Sequence, residues 1–291
     1  MLSILKKISV VLLALILVFA FAACGKNDTA PTQAATVKSD AEKEQAKADI
    51  VEGTTVVVTE VATEVVTNAE GETEVVTEIV TEVVEDEHFN SVDPEKIAVF
   101  YETAVQKTKD DRPKGHQTMT LAGKISGDGA IGTILKVLEP AVDKALAKNS
   151  KETDWVPGAN DGALLGSDIK DCYAKTENGK TTVYIELKSQ TDGSDCDSNT
   201  AGPVARGMST LGSIDGALSE LGAELTSGRE TVSLTYRDAY IECVVDEATG
   251  KIVSGTWHYV VDVNIGNAQA KLGIPANLKN LKASIEYQVE I

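Results

Sequence analysis

The chain has 291 residues and carries 45 acidic side chains against 27 Lys and Arg, which gives a formal net charge of -18. This acidity argues against a nucleic-acid partner, because binding to phosphates needs a concentrated basic surface. Aromatic residues make up only 4% of the chain, so its core is expected to consist mainly of Val, Ile, Leu and Ala. The roughly 200 C-terminal residues are enough for one sizeable core.

The N-terminus has the layout of a secretory signal peptide. Lys6 and Lys7 precede an apolar run from Ile8 to Phe21 that is interrupted only by Ser9. This run is shorter than the ~20 residues that a transmembrane helix needs. A basic start, a short apolar segment and small residues before a cleavage point are typical of exported proteins. Residues 1–23 are therefore predicted to be a signal peptide.

The residues at the end of the apolar run give a more specific signal. Phe21-Ala22-Ala23-Cys24-Gly25 resembles the lipobox of bacterial lipoproteins, although Phe21 departs from the usual Leu. The resemblance implies cleavage before Cys24 and lipid attachment to its thiol, and two acyl chains anchor a protein stably in a membrane. It places the protein on the outer face of the cytoplasmic membrane. An ordinary signal peptide with a chance Cys and an uncleaved anchor are the alternatives.

Residues 24–90 are predicted to form a disordered acidic stalk. Residues 24–92 hold 16 acidic residues and four lysines, and the first part of this segment has too few apolar side chains to build a core. An internal repeat follows, in which VVTEVATEVVT at 57–67 returns as VVTEIVTEVVE at 75–85. Such Val-Thr-Glu tracts resemble linkers in surface proteins of anaerobic low-GC Gram-positive bacteria. The resemblance favours a spacer.

The spacing of the repeat leaves its secondary structure open. Its V-x-T-E period fits one stripe of a helix as well as one face of a strand. The Val and Thr content favours the strand, and Gly71 could form the bend of a hairpin. An ordered hairpin, or a segment that binds a partner, is therefore the alternative to the spacer.

Residues 91–291 are predicted to form one α+β domain. Ser91 or Asp93 can cap a first helix, which has Pro94 in its first turn and continues to Lys107. Two more helices are predicted, at 131–146 and after Ser213.

The rest of the domain alternates apolar and polar residues, as strands do. Asn178-Gly179 is a strong hairpin signal, and a two-residue loop would pair Ala174 with Val183 and Cys172 with Ile185. The alternation predicts an antiparallel meander with one face in water and two to three helices on the other. The further strands are predicted at 117–125, 231–237, 240–246, 251–265 and 281–291.

Three cysteines follow Cys24. The strand patterns point Cys172 and Cys243 toward the buried face, where the two side chains would form either an inter-strand disulfide or a pair of core thiols. Cys196 lies in an acidic loop and is expected to be free.

That acidic loop is the one candidate for a metal. Asp195, Asp197 and Asn199 have the 1, 3, 5 spacing of a calcium-binding loop, but Thr200 and Arg206 stand where such a loop needs Gly and Glu. A solvated loop is therefore preferred to an irregular calcium site, and no metal or cofactor is expected.

The sequence offers no set of residues for catalysis. His88, His116 and His258 are far apart and lack the spacing of a zinc site, and His258 is predicted to face solvent. Gly179-Lys180-Thr181 lacks the first glycine of a phosphate-binding loop. We therefore expect a protein that is not an enzyme.

Two further resemblances concern the domain. Pro94–Lys107 and Tyr240–Tyr259 resemble segments of uncharacterised lipoproteins of gut Clostridia, and a sheet wrapped over helices is similar in architecture to periplasmic lipoprotein carriers. The expected function is a monomeric, membrane-anchored lipoprotein that binds an unidentified ligand or partner. The alternatives are a carrier with a cavity for a hydrophobic ligand or lipid between sheet and helices, and a hydrolytic enzyme.

Overall fold

In a computed structural model of the chain, the structure describes residues 37–48, 50, 55–67, 73–85, 88–128, 151–158, 162–194, 201–212, 224–272 and 274–291. Within these ranges, no helix is long and apolar enough to cross a membrane. Several predictions lie outside the described residues: the signal peptide with Cys24, the helices at 131–146 and after Ser213, and the loop containing Asp195, Cys196, Asp197 and Asn199.

The described residues form two separate antiparallel sheets. The smaller is a hairpin of β1 (Thr55–Thr67) and β2 (Thr73–Glu85). The larger has nine strands, whose main path runs β4-β3-β11-β10-β9-β6-β5, with β7 beside β9 and β8 beside β10. They are β3 (Gly115–Leu121), β4 (Lys151–Thr153), β5 (Ile169–Glu177), β6 (Lys180–Leu187), β7 (Gln190–Asp192), β8 (Glu224–Ser227), β9 (Val232–Asp246), β10 (Lys251–Leu272) and β11 (Ile274–Glu290).

Three α-helices accompany the sheets in the described part of the chain: α1 (Asp40–Ala48), α2 (Pro94–Thr108) and α3 (Pro203–Met208). The predicted α+β class with an antiparallel sheet is confirmed. Covering of one sheet face by two to three helices stays a prediction, because two of the predicted helices lie outside the described residues.

The predicted hairpin forms at Asn178-Gly179. Both residues have positive φ, 55° and 72°, as a two-residue turn of this type requires. The register pairs Ala174 with Val183 and Cys172 with Ile185, as predicted. The meander β9-β10-β11 extends this sheet by consecutive antiparallel pairing.

β9 is one strand where the sequence predicted two, at 231–237 and 240–246. Asp238 has a φ of 52°, and the pairing with β10 shifts by one residue between His258 and Val260. This is a β-bulge, which bends a strand without ending it. The polar residues at the bulge were therefore mistaken for a turn.

Helix α2 is fixed to the centre of the large sheet. Asp93 is its N-cap, and Oδ1 accepts hydrogen bonds from the main-chain nitrogens of Glu95 at 2.8 Å and Lys96 at 3.3 Å. About two helical turns further, the buried Tyr101 hydroxyl accepts a hydrogen bond from Trp257 Nε1 at 2.8 Å and donates one to the Gly207 carbonyl at 3.0 Å. These two bonds join α2, β10 and α3.

Cys172 and Cys243 are free, buried thiols, so the disulfide alternative is wrong. Cys172 on β5 pairs with Ile185 of β6, whereas Cys243 on β9 pairs with Val183 on the other side of β6. With β6 between them, the two backbones are about 9 to 10 Å apart, beyond the ~7 Å limit for a disulfide. Burial raises the pKa of both thiols to about 12.

The prediction of a disordered stalk is wrong for its described part. Residues 40–48 are helical, and the Val-Thr-Glu repeat forms the alternative hairpin, in which Val61 pairs with Ile79 and Thr59 with Thr81. The β-branched side chains of Val and Thr prefer extended backbone. The register sets no glutamate of the repeat opposite another glutamate between Val56 and Val84.

Tyr101→Phe is expected to lower the free energy of unfolding by about 1–3 kcal/mol, because the Trp257 N–H and the Gly207 carbonyl each lose a buried partner. Urea unfolding of the purified protein measures the change. Tyr184→Phe is the matched control: its hydroxyl is also buried but has no hydrogen-bond partner among the described residues. That substitution should leave stability unchanged or raise it, and a Tyr101→Phe protein as stable as wild type would contradict the expectation.

Candidate functional site

The sheet face opposite Trp257 carries acidic and aromatic side chains in two adjacent rows. The register places Asp171, Glu186, Tyr240 and His258 side by side across β5, β6, β9 and β10. The neighbouring row contains Tyr173, Tyr184 and Glu242. Together these seven residues form the acidic–aromatic face.

This face is largely buried, so the prediction of a sheet face in water is wrong for this part of the sheet. The exposed fraction is 0% for Tyr184 and 5% for Glu186. His258, predicted to face solvent, is 2% exposed. Strand alternation does place these residues opposite the core, as predicted, but another segment of the chain covers them.

Residues 37–50 form that cover, here named the docking segment. Ser39 caps α1 in a capping box with Glu42: the Ser39 N–H and hydroxyl donate to the Glu42 carboxylate at 2.8 and 2.7 Å, and the Glu42 N–H donates to Ser39 Oγ at 3.4 Å. Val37, Ala46 and Ile50 pack against the cluster of Tyr173, Tyr184 and Tyr240.

Three lysines of the docking segment each bind a different carboxylate of the acidic–aromatic face. Lys43 Nζ lies 2.7 Å from Glu186 Oε2, with both side chains nearly buried. Lys38 Nζ lies 2.7 Å from Glu242 Oε1, and Lys47 pairs with Asp171. Lys43 and Lys47, four residues apart, lie on one face of α1, and Lys38 reaches the sheet from the residues that precede the helix.

Lys38 also uses the aromatic part of the face. Its ammonium donates to the Tyr173 hydroxyl at 2.7 Å and lies 5.4 and 5.2 Å from the ring centres of Tyr173 and Tyr184. Both distances are within the range of cation–π attraction. The face therefore recognises an ammonium group by carboxylates and aromatic rings together.

The pairing keeps these groups charged. Burial by itself would lower the pKa of Lys43, but hydrogen bonds to Glu186 and Asp40 outweigh it and hold the pKa above its usual value. Burial would likewise raise the pKa of Glu186, yet hydrogen bonds from Lys170 and Lys43 keep the pKa lowered. The opposite shifts are those of an ion pair that stabilises both charged forms.

His258 has a structural role on this face. Its Nδ1 lies 3.1 Å from the Asp238 carbonyl oxygen and its Nε2 lies 2.9 Å from Glu286 Oε1, while the ring stacks on Tyr240 at 5.0 Å. Because both nitrogens are engaged, neither is available to take a proton from a substrate in this arrangement.

The other candidate residues in the described part of the chain do not converge. His88 lies 2.9 Å from Glu247, and His116 lies 3.7 Å from Glu152. Arg206, which stands at the glutamate position of the calcium-loop pattern, instead forms an ion pair with Asp168. No group of three potential ligands is close enough to hold a metal within the described ranges.

An open groove of about 590 Å³ runs along the exposed side of α2. Its lining residues are charged or polar apart from one alanine: Glu102, Thr103, Gln106, Lys107 and Ala163. A site for a hydrophobic ligand would be lined mainly by apolar and aromatic side chains. This groove therefore lacks the lining that a lipid carrier needs.

The acidic–aromatic face was missed at the sequence level, although its signals are present. Ser39-Asp40-Ala41-Glu42 is a capping box directly before lysines at helical spacing. On the sheet, Tyr173, Tyr184 and Tyr240 occupy positions that alternation assigns to the wet face, where large aromatic residues are unusual. Their pairing with the lysines is a long-range contact that periodicity does not report.

Comparisons of the chain with protein-family models, with curated proteins and with solved structures each found no match. The function is therefore argued from the residues and their geometry.

Glu186→Gln is expected to lower the free energy of unfolding by about 2 kcal/mol at neutral pH, because the nearly buried Lys43 loses its carboxylate partner. Since the pKa of Glu186 is lowered in the folded protein, its contribution is present above the unfolded value of about 4.3 and is lost as the pH falls through the folded value. The free energies of unfolding of the variant and the wild type should therefore approach each other as the pH falls. Urea unfolding at several pH values from neutral to acid measures both.

Glu177→Gln serves as the control on the adjoining strand. Glu177 pairs with Lys175 at 2.9 Å, but its side chain is 64% exposed, so the change should stay within about 0.5 kcal/mol. A loss in Glu186→Gln that is constant over the pH range would show that the charge of Glu186 does not stabilise the face.

Proposed function

We propose that the protein is a lipoprotein, held on the outer face of the cytoplasmic membrane by a diacylated Cys24, whose domain binds a ligand or partner without transforming it. The observation that carries this proposal is the sequence around Cys24: a basic start, the apolar run Ile8–Phe21, and then Ala22-Ala23-Cys24. That order gives an export signal followed directly by an acylation site.

The geometry of the charged residues supports binding rather than catalysis. The buried or half-buried carboxylates Asp168 and Glu186 are in ion pairs that hold one part of the fold to another. A catalytic acid or base needs access to a substrate and a pKa adjusted to the proton transfer. The two buried cysteines have raised pKa values, whereas a nucleophilic Cys needs a lowered one.

The chemistry of the acidic–aromatic face supports protein recognition in particular. It binds a lysine-bearing helical segment through carboxylates and tyrosine rings, in this case residues 37–50 of the same chain. Carboxylate and aromatic partners for one ammonium group give a specific contact. The peptide segment that the face holds in this structure is part of the same chain.

The packing of the described core supports recognition over carriage of a lipid. Trp257, Tyr259, Val261 and Ile285 belong to the same buried cluster as Tyr101 of α2. A carrier would need an apolar cavity between these layers. The carrier remains the second candidate, and covering of this face by two to three helices is part of the proposal.

Cys24→Ser is expected to abolish both lipid labelling and retention in the membrane fraction, because the acyl chains are the proposed anchor and both belong to the diacylglyceryl group that attaches to the thiol. Labelling with a radioactive fatty acid, followed by fractionation of the expressing bacterium, measures both effects. Cys196→Ser is the matched control and should behave as wild type. Membrane retention of the Cys24→Ser protein without label would overturn the lipoprotein proposal.

A further inference from the structure

The Val-Thr-Glu hairpin lies between two chain segments that are both bound to the nine-stranded sheet. Before it, Lys43 is paired with Glu186 of β6 and Ile50 packs against the tyrosine cluster. After it, Ser91 and Ala174 of β5 exchange two backbone hydrogen bonds of 3.1 and 2.8 Å. A segment whose two ends are fixed to the same body cannot lengthen the path from a membrane anchor to that body.

Side chains also fix the segment that follows the hairpin to the domain. Phe89 stacks on Phe100 of α2 with ring centres 4.1 Å apart, and Thr176 of β5 donates to the Phe89 carbonyl at 2.9 Å. His88 contacts Glu247 at 2.9 Å. From residue 88 onward, the chain is therefore in contact with the domain.

We infer that residues 37–50 are the first folded part of the domain, so that residues 25–36 alone form the tether and residues 51–87 form an inserted arm. The inference rests on the proposed lipidation of Cys24 and goes beyond it, because it fixes how the anchored domain is held. The acidic–aromatic face is then the site that joins tether to domain. Its ligand is the lysine-bearing docking segment.

Charge complementarity supports this assignment. Residues 24–92 contain only four lysines among 16 acidic residues, and three of the four, Lys38, Lys43 and Lys47, bind the carboxylates of the face. A helix as short as α1 is marginal by itself in water. Its formation therefore depends on contact with the sheet, and the lysines provide that contact.

The consequence is a short distance between membrane and domain. Twelve residues, 25–36, span at most about 40 Å when extended. A stalk made of all the residues between Cys24 and Ser91 would reach about 220 Å by the same measure. The inferred tether keeps the sheet near the lipid surface, whatever the length of the arm.

Trypsin cleavage tests the docking directly. In the purified mature chain, cleavage after Lys26 in the tether should be at least about tenfold faster than cleavage after Lys43 or Lys47, because proteolysis follows the population of locally open states. Lys43→Glu places a carboxylate against Glu186 and should raise the rate of cleavage after Lys47 by at least about tenfold. Mass spectrometry of the fragments over time gives the rates.

Gln45→Glu is the control, since it introduces the same glutamate side chain at an exposed position of α1. It should leave the cleavage after Lys47 unchanged. Both substituted positions lie outside the nine-stranded sheet. Urea unfolding of each variant verifies that the domain with this sheet stays folded. Equal cleavage after Lys26 and Lys47 in the wild-type chain would overturn the inference.

The distance between the domain and the membrane tests whether residues 51–87 are an inserted arm or a spacer. A donor dye is placed at Gly123→Cys, an open surface position, in a Cys196→Ser background, and an acceptor lipid is placed in phosphatidylglycerol–phosphatidylcholine vesicles that carry the lipoprotein. Replacing residues 55–85 by a short Gly-Ser linker should leave energy transfer unchanged, whereas Lys43→Glu should lower it by lengthening the tether. A rise in transfer on removal of the arm would show that the repeat is a spacer.

The two proposals fail in different ways. If the purified protein carries no lipid on Cys24 and does not bind vesicles, the anchor is wrong, and the trypsin rates of the same protein still decide whether residues 37–50 are docked. If lipid is present but Lys43 and Lys47 are cut as fast as Lys26, the anchor stands and the inferred short tether is lost.

Discussion

The central strands of the nine-stranded sheet are buried on both faces, and the other features of the domain depend on this constraint. β6 shows it most clearly, because Val183, Tyr184, Ile185, Glu186 and Leu187 are all buried in succession. On one side, α2 packs against the sheet and is bonded to Trp257 by Tyr101. On the other side the cover comes from residues 37–50, which precede β5 and β6 by more than a hundred residues in the chain.

A buried carboxylate makes the second cover specific. Glu186 is 5% exposed, and an unpaired charge at such a position would cost several kcal/mol. Lys43 and Lys170 neutralise it, and Lys43 can do so only when α1 lies on the sheet. An apolar cover would tolerate sliding, whereas the ion pairs of Lys38 and Lys43 fix the register of the docking segment along the face.

With residues 37–50 on the sheet, the acidic N-terminal part of the chain contributes to the folded domain. Its few lysines are gathered where they bind the sheet, and its Val-Thr-Glu repeat forms a hairpin with the two neighbouring segments bound to the domain. In the proposed function, a lipid anchor, a short tether and a packed domain act together to present a recognition surface close to the membrane. The charged groups of the acidic–aromatic face hold residues 37–50 on the sheet.

Local signals in the sequence determined the parts of the fold that depend on neighbouring residues. The Asn178-Gly179 turn, the Asp93 cap and the register of Cys172 against Ile185 follow from turn geometry, capping and alternation. The proposed export and acylation signal around Cys24 is likewise a local pattern that does not depend on the fold. For the repeat, local pattern allowed both a spacer and a hairpin.

Only the tertiary structure decided what covers the second face and whether the cysteines are bonded. The contact of Lys43 with Glu186 spans 143 residues, and periodicity identifies which side of a strand a residue occupies but not which distant segment lies on it. The strand order likewise places β6 between Cys172 and Cys243, so two side chains on the same buried face remain unbonded. Pairing across the chain depends on the packing of complete layers, and no local sequence pattern encodes it.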